Sequence, residues 1–396
     1  MASNIANVED LRRLAQRRVP RVFFEYVDSG AFEELALRAN RRDLDALRLR
    51  QRVLTGVGDP RDLRTTLLGQ EAAMPVAIAP TGLAGLVRAD GEIHLARAAR
   101  RAGVPFTLST VSICSLEDVR QGVDGDFWFQ LYVMRDRGVV RSLIERARAA
   151  RCPVLMVTAD LAVQAPRLRD ERNGMTLRPR IFSKPANLVD FLRKPSWLVR
   201  YLRTPRRRFG NLAPYVGQRT KMSELSAWIA DQLDPAMGWA DLEWIRGLWP
   251  GKLVVKGVLD AEDARQAVRC GADALVVSNH GGRQFDAAPS SAAAFPAIAD
   301  AVGASVELFF DSGVRTGTDV LKALALGARG VLVGRAPLYG LGALGPSGVT
   351  LALELIRREL DTGLALAGLR GVAEISKDLL WAAQHEASTG VGGVPA

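Results

Sequence analysis

The chain repeats a form rather than a sequence. An Ala/Arg/Leu-rich stretch with helical spacing runs to a glycine, and a short apolar run follows that ends in a small or polar residue. GEIHLARAARRAGVPFTLST (91–110), AEDARQAVRCGADALVVSNHGG (261–282) and TGTDVLKALALGARGVLVGR (316–335) are three copies. The glycine suits the left-handed position just past a helix C-terminus. The apolar runs lack alternation, as expected of strands covered on both faces. Helix and parallel strand in alternation specify an α/β architecture.

Eight strands are expected, at 75–79, 105–109, 127–131, 153–158, 252–256, 274–278, 306–311 and 330–334. Eight βα units favour a closed (β/α)8 TIM barrel. A doubly wound open sheet is the alternative, but no GxGxxG follows an early strand to support it. The last helix, near 348–364, sets Val349, Leu353, Ile356 and Leu360 on one stripe. The chain, 1–396, reads as one barrel domain with two additions. Residues 1–70 form an N-terminal helical segment leading into a connector with Gly56, Gly58 and Pro60. Residues 161–240 form a long insertion after the fourth strand.

Of 396 residues, 48% are hydrophobic and 24% charged, which excludes disordered and collagen-like chains. No run of 18 apolar residues exists to span a bilayer, and the N-terminus lacks the apolar stretch of a secretory signal. Cys114, Cys152 and Cys270 are too scattered for a disulfide framework or a zinc site, so reduced buried thiols and no metal are expected, as in a cytoplasmic protein.

The net charge is +10, yet Arg167 to Lys221 holds 15 Lys or Arg against three Asp or Glu. The basic character belongs to the insertion, so nucleic-acid binding by the whole protein is not inferred. Within the insertion, NLVDFLRKPSWLVRYLRTPRRRF (187–209) interleaves Leu188, Val189, Leu192, Trp197, Leu198, Tyr201 and Leu202 with bases. Such a stretch fits a helix lying in an anionic membrane interface, over 180–215. The other readings are a lid packed on the barrel, or a surface for a partner or nucleic acid. The aromatics are too sparse for a single-strand binding platform.

Function in a barrel sits at the C-terminal ends of the strands. The expected strands end in Pro80-Thr81-Gly82, Ser109, Gln130 with Tyr132, Thr158 with Asp160, Lys256, Ser278 with His280, Asp311, and Gly334-Arg335. A polar ring drawn from eight distant segments argues for one site with a polar ligand. Of the three histidines, His94 lies in an expected helix and His385 in the tail. His280 follows a buried strand and precedes two glycines. Imidazole can accept a proton near neutral pH, and Asp160 could orient it. Arg283 is a natural fork for a carboxylate. Lys256 is either a Schiff-base amine or a positive charge for a developing anion. DSGVRTGTD (311–319) and VGRA (333–336) end strands seven and eight, where barrels often hold phosphate, and Arg315 and Arg335 add charge.

SNHGGRQ, LVVKG, PTG, FWFQLYV, DSGVRTGTDVLKALALGA and VGRAPLYGL together resemble the FMN-dependent 2-hydroxy-acid dehydrogenases and oxidases. The resemblance runs from NVEDLRRLAQRRVP (7–20) to the last barrel helix. Within the family it is strongest to the membrane-associated (S)-mandelate dehydrogenases, with the bacterial L-lactate dehydrogenases next. It implies FMN held by Pro80, Thr81, Gly82, Ser109, Gln130, Thr158, Lys256 and Ser278 around the ring. Asp311, Gly313, Arg315, Gly334 and Arg335 would hold its ribityl chain and phosphate. It implies that Tyr26, Tyr132, Arg167 and Arg283 bind the hydroxy acid, and that His280 is the base, paired with Asp160.

Gly82 stands where oxidases of the family commonly carry Ala. With the basic insertion, this favours a dehydrogenase on the inner face of the cell membrane that passes electrons to quinone or another acceptor. A soluble oxidase that reduces O2 to H2O2 is the alternative. The resemblance also implies a homotetramer. The run LAVQAP (161–166) departs from the plant-type oxidases, so no pocket contacts carry over there.

Overall fold

The computed structural model describes residues 4–176, 179–217 and 222–381, without the side chains of Phe182 and Met222. His385 lies outside them, as do Arg178, Arg219 and Lys221 of the basic segment.

Eight parallel strands form one sheet: β1 (Val76–Ile78), β2 (Thr107–Ser109), β3 (Trp128–Leu131), β4 (Val154–Thr158), β5 (Lys252–Val258), β6 (Ala274–Val277), β7 (Glu307–Phe310) and β8 (Gly330–Val333). Their order is β1-β8-β7-β6-β5-β4-β3-β2. The two ends meet, because the Ile78 amide donates to Pro105 O at 2.8 Å and Ile78 bridges Phe106 in parallel. The sheet is therefore a barrel, and the open-sheet alternative is excluded. Each expected strand is present to within two residues at its ends.

The strand sequences explain the closure. Val154–Thr158, Ala274–Val277 and Gly330–Val333 are buried at every position. Alternate side chains divide between two cores. Ala77, Trp128, Met156, Val254, Val276, Phe309 and Leu332 pack inside the barrel. Ile78, Phe129, Val157, Val255, Val277, Phe310 and Val333 join the core beneath the helices. The last helix, Pro346–Ala367, buries its expected stripe: Val349, Leu353, Ile356 and Leu360 are each at most 1% exposed.

The N-terminal segment has the expected short helices leading into a connector, and adds a strand pair that was not expected. Helices Val8–Arg18, Arg21–Asp28 and Leu35–Ala46 are followed by a hairpin of Thr65–Leu67 and Gln70–Ala72. Leu67, Leu68 and Ala72 belong to the barrel-interior core, and Gln70 accepts a 2.9 Å hydrogen bond from the Trp128 indole. Local sequence does not announce this strand pair. Filling the barrel floor stabilises it.

The insertion is corrected in part. Helices Pro185–Leu192 and Pro195–Arg203 turn their rings inward. Trp197 stacks between Phe23 and Tyr201, at 5.3 and 5.0 Å between centroids, and donates its indole hydrogen to Leu86 O at 2.9 Å. Tryptophan is a membrane-interface residue only when it faces lipid, and this one is buried. Leu198 and Tyr201 are half-buried against the same core. The apolar side chains left outside are Leu188, Val189, Leu192, Val199 and Leu202.

Candidate active site

The interior packing sets the site by a period of two. One inward position beyond Ala77, Trp128, Met156, Val254, Val276, Phe309 and Leu332 come Ala79, Gln130, Thr158, Lys256, Ser278, Asp311 and Gly334. The apolar layers stop there and the polar ring begins. Above it opens a cavity of about 710 Å3, within the range of small-molecule sites.

On one side, Lys256 Nζ lies 2.9 Å from Ser278 Oγ and 2.9 Å from Asp311 Oδ2, and Ser278 Oγ donates to Asp311 at 2.6 Å. Burial opposes the charged form of Lys256, but Asp311 and Asp160 outweigh it and hold the ammonium above its ordinary pKa. Burial likewise opposes the Asp311 carboxylate, and Lys256 and Ser278 outweigh it. A charged, pinned amine is no nucleophile, so the Schiff-base reading of Lys256 falls.

His280 has φ +59°, a left-handed conformation that non-glycine residues seldom adopt. Its amide donates to Ser278 Oγ at 3.0 Å, and the Gly281 amide donates to Ser312 Oγ at 3.0 Å. The ring Nδ1 lies 2.8 Å from Asp160 Oδ1. A carboxylate only accepts, so Nδ1 carries the hydrogen and Nε2 is left free to take a proton. Burial lowers the His280 pKa; Asp160 opposes this, while Lys256 and Arg167 add to it. Asp160 has room because residue 257 is glycine at φ +103°, where a Cβ would fall 2.5 Å from Asp160 Cγ.

Two arginines line the same cavity. Arg283 and Arg167 flank the Tyr26 ring, their guanidinium carbons 4.8 and 5.8 Å from its centroid. Arg283 donates to the carbonyls of Tyr26 and Ser29. Burial lowers the Arg167 pKa to about 10, with repulsion from Arg283 adding to it, and its buried Nε has no partner among the described residues. Tyr132 lines it too, and burial and the Asp160 charge raise its phenol pKa.

At the far end, Ser312 and Gly313 both have positive φ and lead into Arg315, and helix Arg335–Leu344 starts at Gly334. Successive left-handed residues and a helix N-terminus turn N–H groups toward an anion. The Arg335 guanidinium donates to the carbonyls of Val27, Ser29 and Gly281, each at 2.9 Å, tying the N-terminal segment to the His280 loop.

Most expected residues therefore meet. Tyr26, Pro80, Thr81, Gly82, Tyr132, Thr158, Arg167, Lys256, His280, Arg283, Asp311, Gly313, Arg315, Gly334 and Arg335 line one cavity. Ser109, Gln130 and Ser278 lie behind its wall. Gln130 accepts from Ser109 Oγ at 3.1 Å and donates to Thr158 Oγ1 at 3.0 Å, which orients Thr158. His94 stands in helix Gly91–Ala102, away from the cavity.

Several contributors were not read from the sequence. Asn40 and Asn279 exchange amide hydrogen bonds of 2.8 Å, fixing helix Leu35–Ala46 against the His280 loop. Asn279 sits inside SNHGG, a visible signal, but Asn40 has none. Met175, Ile181, Phe209, Ile229 and Leu233 of the insertion roof the cavity.

The chain matches the family described as FMN-dependent dehydrogenase over residues 15–382. It is 47% identical to an L-lactate dehydrogenase of Xanthobacter autotrophicus over 95% of this chain and 96% of the relative. An L-lactate dehydrogenase of Caulobacter vibrioides is 48% identical over 95% and 97%. Among solved structures, the monotopic membrane protein (S)-mandelate dehydrogenase superposes with a TM-score of 0.90 at 38% identity, covering 96% of this chain and 99% of that one.

Proposed function

The chain belongs to the FMN-dependent dehydrogenases, enzymes here represented by oxidisers of 2-hydroxy acids, and on that premise we propose that it converts an L-2-hydroxy acid of the lactate or mandelate kind to the 2-oxo acid and delivers the electrons to a membrane quinone. The observation that carries this reading is that His280, oriented by Asp160, lines one cavity together with Arg283, Arg167 and Lys256.

The residues present suit FMN. Thr158 and Lys256 would offer a hydroxyl and an ammonium to the ring system, and Thr81 and Gly82 would pack against it. Gly313, Arg315, Gly334 and Arg335 suit a phosphate. When bound, FMN supplies the two-electron acceptor, and the protein positions and tunes it.

The remaining work belongs to the chain. Arg283 and Arg167 hold the substrate carboxylate, with Tyr26 and Tyr132 beside it, and this fixes the α-carbon in place. His280 Nε2 takes one proton from the hydroxy acid. Asp160 stabilises the imidazolium that results. Lys256 offsets negative charge that develops across the site.

Gly82, where oxidases of the family commonly carry Ala, supports a dehydrogenase; separately, a Cβ there would fall 2.7 Å from Val111 Cγ2. The exposed Leu188, Val189, Leu192, Val199 and Leu202, set among bases, support a peripheral hold on an anionic membrane at 180–215, on the cytoplasmic face. No helix among the described residues is long and apolar enough to cross a membrane. A homotetramer completes this reading, to be measured by light scattering in detergent.

Anaerobic mixing of the flavoprotein with L-lactate, (S)-mandelate and their enantiomers tests the assignment. Flavin bleaching by one L-configured acid, and reoxidation by a quinone analogue faster than by air, is the expected result. No bleaching with any 2-hydroxy acid would overturn it, and rapid peroxide release under air would transfer it to the oxidase.

A further inference from the structure

Away from the active site, a second cavity of about 320 Å3 lies between the N-terminal helix Val8–Arg18, the loop after β1 and the insertion helix Pro195–Arg203. Arg18, Arg88, Arg200 and Ser196 line it, and among the described residues no carboxylate does. Arg18 donates to Ala343 O, and Arg200, which is exposed, to Ser196 O, so both are held by backbone carbonyls. Arg88 is half-buried against Gly345 and has no hydrogen bond or ion pair from its side chain among the described residues. Burial pushes its pKa down, and the charges of Arg200 and Arg18 add to that. The Arg88 and Arg200 guanidinium groups at this cavity repel each other unless an anion enters.

We propose that this cavity binds the phosphate of an anionic phospholipid headgroup, with Arg88 at its base and Arg18 and Arg200 at its mouth. The inference rests on the membrane reading above and gives it a specific ligand. Two features select lipid over a free phosphate. Helix Pro195–Arg203, which supplies Arg200, also exposes Val199 and Leu202, and the adjoining helix Pro185–Leu192 exposes Leu188, Val189 and Leu192. Acyl chains can lie along these side chains while the headgroup reaches the arginines. The cavity also has room for more than one ion-sized group.

Co-sedimentation of the full-length flavoprotein with phosphatidylglycerol vesicles, against phosphatidylcholine vesicles, tests this. One basic residue that merely lies near an anionic surface contributes roughly fivefold to partitioning. Arg203→Gln, which removes an exposed charge from the same helix, should lose about that much. Arg88→Gln should lose about twentyfold or more, and Arg88→Lys should recover part of it. Dye-linked turnover should stay unchanged in all three, which reports the fold. Should Arg88→Gln fail to fold, Arg200→Gln at the exposed rim replaces it, with about tenfold expected.

Equal losses in Arg88→Gln and Arg203→Gln would overturn the headgroup site and leave the membrane reading standing. No vesicle binding by the wild type would overturn both. Calorimetric binding of inorganic phosphate that depends on Arg88, without vesicle binding, would reassign the cavity to a soluble anion.

Discussion

At the barrel rim Lys256, Ser278, Asp311, Asp160 and His280 hold one another through bonds of 2.6 to 3.0 Å. In the insertion, helices 185–203 are held by ring stacking and the Trp197 indole, and half their apolar side chains face outward. The rim is fixed to the hydrogen-bonded lattice of the strands, where a small displacement breaks a charge pair in a dry site. The insertion helices are fixed largely by packing, which tolerates change of similar volume. On the proposed reading, chemistry belongs to the rim and membrane docking to these insertion helices.

The harshest test of that division is His280→Gln. It should lower kcat by about four powers of ten while the protein keeps its yellow colour. Loss of flavin instead would make His280 a structural residue. Asp160→Asn should lower kcat by about 10^3-fold. It also carries a sign. Burial holds His280 below the ordinary histidine value, so kcat/KM should fall only as pH drops below about 6.5. Asp160 raises that pKa, so its removal should shift the acid limb lower still. A shift upward would separate the pair.

Arg283→Lys exchanges a fork for a point charge and should raise KM by about tenfold with a smaller change in kcat. An unchanged KM would move the carboxylate site elsewhere. Gly82→Ala should cost about 1–2 kcal/mol of stability, read by denaturant titration, and Val111→Ala should restore much of it by removing the clashing methyl. At the small end, Leu192→Gln with Leu202→Gln should leave dye-linked turnover unchanged while weakening vesicle binding severalfold. A fall in turnover would show that these helices and the rim are coupled.

The helix–glycine–strand repeat made the barrel legible, because covered parallel strands leave apolar runs of the right length and loops at one end. The strand-end residues were legible for the same reason. Asn40, Ser312 and Gly257 were not, since each acts only against a partner far away in the chain. In the basic insertion, apolar spacing located helices but gave no direction to their faces, and so Trp197 was expected outside and is found within.

The order of residues alone determined how many barrel strands form, which of their positions point inward, and which polar groups cap them, because these follow from local periodicity. Closure of the sheet between Ile78 and Pro105, the hairpin floor, the His280–Asp160 contact and the inward turn of Trp197 were decided by tertiary structure. Each depends on groups brought together across long loops. Their energies arise from packing, desolvation and charge in a shared interior, and none of these is a property of a segment by itself.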